Sequence, residues 1–197
     1  MDRVKIGVLA LQGAVSEHIE MLNQAGAKGV PIKRVEELAN VEGLIIPGGE
    51  STTIGKLIKL YGFDKAITQF YEEGHPIFGT CAGLILLAKE IEGQDWVHLG
   101  LMDTYVARNG FGRQKESFEV KLAIQGIADD FQAVFIRAPY IISVGNEANV
   151  LAKFDNKIVA AEEGRLLVAA FHPELTDDPR FHEYFVQMVK RVNKELA

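Results

Sequence analysis

The sequence predicts an α/β protein with a mostly parallel sheet, flanking helices and a more antiparallel extension in its second half. Two observations carry this. Short, nearly continuous apolar runs at 4–11, 43–46, 76–79 and 166–171 read as strands buried on both faces, as parallel sheets require. Stretches of helical period alternate with them, whereas 101–161 holds strand-like runs with few helical intervals.

Residues 4–11 form the first strand. With Ser16 as N-cap, apolar residues at 19, 22 and 25 then define a helix that Gly26 stops. Residues 31–35 and 43–46 are strand-like, 52–60 and 64–73 helix-like, and 76–79 leads directly into a helix over 82–89. The runs 101–107, 117–124, 133–137 and 158–161 are expected to continue the same sheet in antiparallel fashion. A buried strand over 166–171 follows. The closing helix, 178–195, sets Phe181, Phe185, Met188, Val189 and Val192 on one face behind Pro179. With 197 residues and no linker, repeat or low-complexity stretch, 1–197 reads as one domain.

Composition narrows the function. A net charge of −6 without any Lys/Arg cluster argues against nucleic acid as a partner. No apolar stretch reaches membrane length and the start lacks a signal-peptide pattern, so a cytoplasmic setting without membrane is expected. The single cysteine cannot form an internal disulfide, fits a reducing compartment, and leaves one thiol to be buried or used.

That thiol, Cys81, lies in Gly79-Thr80-Cys81-Ala82-Gly83 between a strand and an apolar helix. A nucleophile in such a turn has strained backbone angles, and small neighbours keep Cβ clashes away. The helix start offers partial positive charge and free N–H groups, which favour the thiolate. A lone cysteine without context is more often a small buried hydrophobe; the flanking glycines and the strand-to-helix junction reverse that weighting.

A base is needed beside it. Phe171-His172-Pro173-Glu174 follows the apolar run 166–170, placing His172 at a strand end. In an extended segment stiffened by Pro173, His172 and Glu174 fall on one side, so Glu174 can orient the imidazole. His18, His75, His98 and His182 lack such context and read as surface histidines, His18 being the nearest to the ligand end. Zinc is not expected, since no second Cys or close His pair supplies a ligand set. No other cofactor is called for.

Pro47-Gly48-Gly49-Glu50-Ser51-Thr52-Thr53 follows a strand and precedes a helix, so backbone can approach a ligand there. Gly49 N–H, with Ala82 N–H, is assigned to an oxyanion. A phosphate loop is disfavoured, because the Walker lysine is missing and Glu50 stands where an anion would sit; a plain turn stays open. Arg108, in a turn near Gly110 and Gly112, is the first choice for a substrate carboxylate and Arg137 the second, though either fits a surface ion pair equally.

Taken together, 7–13, 47–53, 79–87, 108–114, 135–139 and 171–176 resemble, in order, segments of the class I (triad) glutamine amidotransferases, and more closely the glutaminase subunits of pyridoxal 5′-phosphate synthases. The resemblance implies a flavodoxin-like fold and a Cys81-His172-Glu174 triad. It implies a glutamine pocket lined by Gly49, Glu50, Ser51, Arg108, Ile136 and Arg137, and gives Gln12 a supporting role near the oxyanion loop. It also implies L-glutamine as substrate and a (β/α)8 synthase subunit as partner, which receives the ammonia and combines it with ribose 5-phosphate and glyceraldehyde 3-phosphate. Gly110 departs from the pattern, standing where many members carry Ser or another polar residue.

Overall fold

A computed structural model of the chain describes residues 2–112 and 116–197. Arg113 and Gln114, which close the Arg108 segment, lie outside the described residues. The chain runs β1 (Lys5–Leu9), α1 (Val15–Gln24), β2 (Lys28–Ile32), β3 (Gly43–Ile46), α2 (Ser51–Leu60), α3 (Phe63–Glu72), β4 (Ile77–Thr80), α4 (Ala82–Leu87) and β5 (Ala88–Ile91). It continues through β6 (Met102–Ala107), β7 (Ser117–Ile124), β8 (Ala128–Ile136), β9 (Tyr140–Val144), β10 (Asn149–Phe154), β11 (Lys157–Glu163), β12 (Leu166–Ala169) and α5 (Arg180–Leu196).

The large sheet has the order β2-β1-β3-β4-β12-β11-β9-β6-β5, with β10 paired to β11. From β2 to β12 every pairing is parallel; β11 then turns antiparallel on β12, and β9 on both β11 and β6. The α/β class and the antiparallel extension are therefore as the sequence predicts. β3, β4 and β12 are buried throughout and β1 at all but its first residue, because helices cover both faces of this part of the sheet.

Several expectations are corrected. β7 and β8 do not continue the large sheet but form a separate antiparallel ribbon, from Ser117 opposite Ile136 to Ile124 opposite Ala128. Glu119 and Lys121 keep one side of β7 in water, which a strand covered on both faces cannot do. The helix over 82–89 stops at Leu87, and Ala88–Ile91 becomes the edge strand β5, whose Lys89 and Glu90 are exposed. Ser16 sits inside α1; Ala14 holds the cap position and makes no side-chain cap bond. β2 begins earlier, at Lys28, and Val35 opens a 3-10 turn over Val35–Asn40.

Helix α5 locks onto the sheet through a cluster of aromatic rings, one pair stacked and the others tilted or edge-to-face. Phe181 lies 5.2 Å from Phe78 of β4 and 5.5 Å from Phe171, and Phe185 lies 5.4 Å from Phe78. Gly43 of β3 admits the helix, since a Cβ there would stand 2.7 Å from a Val189 methyl. Phe131 of β8 reaches both Phe171 and Phe181, tying the ribbon to the same cluster. Phe181→Ala should therefore cost about 3–5 kcal/mol. Urea unfolding should show a lowered midpoint with an unchanged slope.

Candidate active site

β1, β3, β4 and β12 are successive neighbours in the sheet and run the same way, so the residues that leave their C-terminal ends meet at one edge. Gln12 leaves β1, Gly48 to Glu50 leave β3, Cys81 leaves β4 and His172 leaves β12. Pairing of Ile46 with Gly79 and of Ala169 with Thr80 sets the level of these exits.

Cys81 occupies the turn between β4 and α4 with φ 51° and ψ −104°, a backbone state that non-glycine residues rarely adopt. Its neighbours permit it. A Cβ at Gly79 would lie 2.6 Å from the Gly83 carbonyl, and one at Gly83 would strike the Ile46 carbonyl oxygen. The Cys81 N–H donates to the Ala169 carbonyl at 2.8 Å, fixing the turn to β12. Ala82 opens α4, so its N–H has no acceptor within the helix.

His172 Nδ1 donates to Glu174 Oε1 at 2.7 Å, and its backbone N–H donates to Val134 of β8 at 2.8 Å. The expected extended segment is corrected: Pro173–Leu175 forms a 3-10 turn, because proline suits the first position of a helical turn. The pairing survives that change. Burial disfavours the imidazolium, but the neighbouring Cys81 side chain and the hydrogen-bonded Glu174 carboxylate outweigh it, raising the His172 pKa to about 10.

The glycine loop rests directly on these groups. A Cβ at Gly48 would lie 2.7 Å from His172 Cε1 and 3.2 Å from Cys81 Cβ, and Gly49 has a φ of 146°. Gln12 Oε1 accepts the Glu50 N–H at 2.7 Å. The Glu50 carboxylate accepts from the N–H groups of Thr52 at 3.1 Å and Thr53 at 2.7 Å, and from the Thr53 hydroxyl at 2.7 Å. Chiefly through the Thr53 hydroxyl, and despite some desolvation, these bonds lower its pKa to about 2. The anion position at the start of α2 is thus already filled by the protein, which removes the phosphate-loop reading. Ser51, the first residue of α2, is buried.

Arg108 reaches this loop from the end of β6. Its Nη2 donates to Thr52 Oγ1 at 3.2 Å and to Glu50 Oε1 at 3.3 Å. The Ile136 carbonyl oxygen, at the end of β8, is 3.9 Å from Cys81 Sγ. Arg137 follows with φ 45°; its side chain is exposed, 4.0 Å from Glu116, and borders a cleft of about 490 Å3 lined also by Asn109, Gly110, Phe111 and Ala138. A larger cleft, about 810 Å3, opens among Asp2 to Lys5 and the segments around Val35 and Phe70, at the opposite ends of the parallel strands, and touches none of these residues. Gly110 has a local reason: a Cβ there would enter the Tyr140 ring.

Two histidines read as surface residues are buried beside this group. His18 of α1 and His182 of α5 are fully inaccessible; His18 Nδ1 is 2.9 Å from His182 Nε2, and His18 Nε2 is 3.2 Å from Thr80 Oγ1 and 3.5 Å from Glu174 Oε2. Each falls on the apolar period of its helix, His18 with Met21 and Leu22, His182 with Phe181, Phe185 and Val186, and that periodicity is the signal in the sequence. His75 instead stacks on Phe70, and His98 packs against Trp96 and Gly55. Among the described residues no His, Cys, Asp or Glu group could hold a metal ion, and no helix is long and apolar enough to cross a membrane.

A cysteine on a strained strand-to-helix turn and a carboxylate-held imidazole from the neighbouring strand thus meet at the C-terminal edge of an α/β sheet. The chain belongs to the SNO glutamine amidotransferase family, whose sequence model matches residues 8–191. It is 63% identical over 187 residues to the pyridoxal 5′-phosphate synthase subunit PdxT of Brevibacillus brevis, covering 95% of this chain and 98% of that protein. With the subunit of the same name from Anoxybacillus flavithermus the identity is 59%, over 97% and 100%. A solved glutamine amidotransferase superposes with a TM-score of 0.89 at 46% identity, covering 94% of this chain and 98% of that one.

The buried histidines set a pH dependence of stability. Burial foremost, then the neighbouring His182 and His172, holds His18 well below its usual pKa, and burial pushes His182 down to about 3. Below pH 6.5, and down to about 3 for His182, the unfolded chain therefore binds protons that the folded chain refuses. Stability should fall with falling pH, by up to about 1.4 kcal/mol per unit per histidine. His172 acts oppositely: its contribution is complete below pH 6.5 and is lost as pH rises toward about 10. Urea midpoints across this range should show both limbs, and His182→Leu should flatten only the acid one.

Proposed function

We propose that this chain is a glutaminase: it hydrolyses L-glutamine to L-glutamate and ammonia and delivers the ammonia to a (β/α)8 synthase subunit, which builds pyridoxal 5′-phosphate from ribose 5-phosphate and glyceraldehyde 3-phosphate. The observation that carries the reading is Cys81 on its strained turn, packed with His172 against Gly48, where Glu174 holds the imidazole at 2.7 Å. Membership of the amidotransferase family and the names of the relatives support the substrate and the pathway. Residues 1–197 act as one glutaminase domain.

At neutral pH a group titrating near 10 is protonated, so His172 enters the reaction as imidazolium beside the Cys81 sulfur. The thiolate attacks the side-chain amide carbon, and the resulting oxyanion takes N–H groups from Gly49 and Ala82. His172 gives its proton to the amide nitrogen, the C–N bond breaks and ammonia leaves a γ-glutamyl thioester. The neutral imidazole then takes a proton from water, hydroxide adds to the thioester, and glutamate departs as the thiolate is restored. Glu174 keeps the imidazole in one tautomer throughout.

Glu50, Ser51, Arg108, Ile136 and Arg137 bind the amino-acid end of the substrate. Arg108 supplies the cation for the α-carboxylate, exchanging its contact with Glu50, and Gln12 steadies the glycine loop through the Glu50 N–H. Docking on the synthase has a chemical reason: ammonia released into neutral water is protonated and loses its nucleophilicity.

Glutamate release from L-glutamine, measured with and without an added pyridoxal 5′-phosphate synthase subunit, tests the reading. Release should rise strongly with the synthase, and Cys81→Ala should lower it by about 10⁴-fold or more. Equal release with and without the synthase would contradict the assigned partner. Turnover by Cys81→Ala at the wild-type rate would contradict the triad.

A further inference from the structure

Glu174 presents two carboxylate oxygens, and His172 uses one. Oε2 is buried and makes no regular hydrogen bond, although a carboxylate oxygen left without a donor away from water is costly. The nitrogen facing it is His18 Nε2, at 3.5 Å, on a side chain as inaccessible as its own. Contacts within catalytic groups are often this long before a substrate is bound.

The protons on His18 and His182 follow from what surrounds them. Burial keeps both rings neutral, so each has one N–H and one lone pair. If His18 carried its proton on Nδ1, it would donate to His182 Nε2, forcing the His182 proton onto Nδ1. That atom is buried without a partner, and the His18 Nε2 lone pair would then face the Glu174 carboxylate. The opposite arrangement leaves only a lone pair, not an N–H, on the unpartnered His182 Nδ1 and turns a donor toward the carboxylate: His182 Nε2–H donates to His18 Nδ1, and His18 Nε2–H points at Thr80 Oγ1 and Glu174 Oε2.

We propose that His18, held by His182, is a positioning residue whose Nε2–H serves the second oxygen of Glu174 and so fixes the carboxylate that orients His172. The role rests on the triad reading given above. His18 binds Thr80, the residue before Cys81, as well as Glu174, so one ring ties the nucleophile's strand end to the orienter. It stands on α1, directly after the Gln12 and Gly13 loop that packs on Gly48 to Glu50.

The test is steady-state glutamate release in the presence of the synthase subunit by wild type, Cys81→Ala, His18→Leu, His18→Gln and His18→Asn, each checked for folding by thermal unfolding. Glutamine at 18 can place an amide N–H near the Nε2 position, whereas asparagine can only mimic Nδ1. His18→Leu should lose about 10- to 100-fold in kcat, the range found when a group that orients a functional side chain is removed. Its KM for glutamine should stay within about twofold, because His18 does not line the pocket, and His18→Gln should recover most of the loss while His18→Asn does not.

A folded His18→Leu with wild-type kcat, or equal rates for His18→Gln and His18→Asn, overturns the proposal. Should His18→Leu fail to fold, the Gln and Asn pair still decides it. Long-range 1H–15N spectra of the wild-type histidine rings give a readout independent of turnover: the proton on Nε2 of His18 is expected, and a proton on Nδ1 overturns the assignment. If wild type and Cys81→Ala release glutamate alike, the triad reading itself has failed, whatever the His18 variants do.

Discussion

The backbone at Cys81 is the constraint around which the rest is arranged. A non-glycine residue held at φ 51° and ψ −104° costs on the order of 1–3 kcal/mol and persists only where the surroundings over-determine it. Here they do so from three directions. The Cys81 N–H is bonded to β12, strand β4 is paired on both sides, and α4 lies so close to β3 that Gly83 has no room for a side chain. In exchange the side chain is thrust out at the strand end, where the first N–H groups of α4 are free. The fully buried strands on either side serve as the rigid frame that such a turn needs.

Around that turn, polar groups are matched so that little is left to chance. Glu50 caps α2 while its own N–H is held by Gln12, and it also holds Arg108; one residue thus links the ends of β1, β3 and β6. Glu174 faces His172 with one oxygen and His18 with the other. The separate ribbon contributes too, since Val134 receives the His172 N–H and Ile136 brings its carbonyl to the sulfur. A strand pair outside the main sheet can approach the edge of that sheet from above, which a strand inside it cannot.

Much of this was legible in the residues. The parallel strands are short apolar runs, and Gly79, Gly83 and the pair Gly48-Gly49 mark close backbone approaches that only glycine allows. Less legible were features decided by tertiary contacts. β5 carries exposed Lys89 and Glu90 after a helix that looks able to continue, and the ribbon's independence is hidden because an alternating strand can pair with many partners. His18 and His182 were misread because histidine is commonly a surface residue, and a buried pair is visible only once α1 and α5 are known to lie side by side. The turn at Pro173 escaped because a three-residue segment has no period to read.

The chain has a single sulfhydryl, and it is Cys81, 7% exposed at the mouth of the strained turn. Covalent chemistry on the protein's thiol content is therefore chemistry on this one side chain alone. One equivalent of a small alkylating reagent consumed per chain counts strained turns bearing a free thiol directly, with no background from other cysteines to subtract. For the same reason, oxidative loss of thiol in a stored sample is a molar measure of chains modified at Cys81, and no second cysteine of the same chain is available to rescue the sulfenic acid as a disulfide.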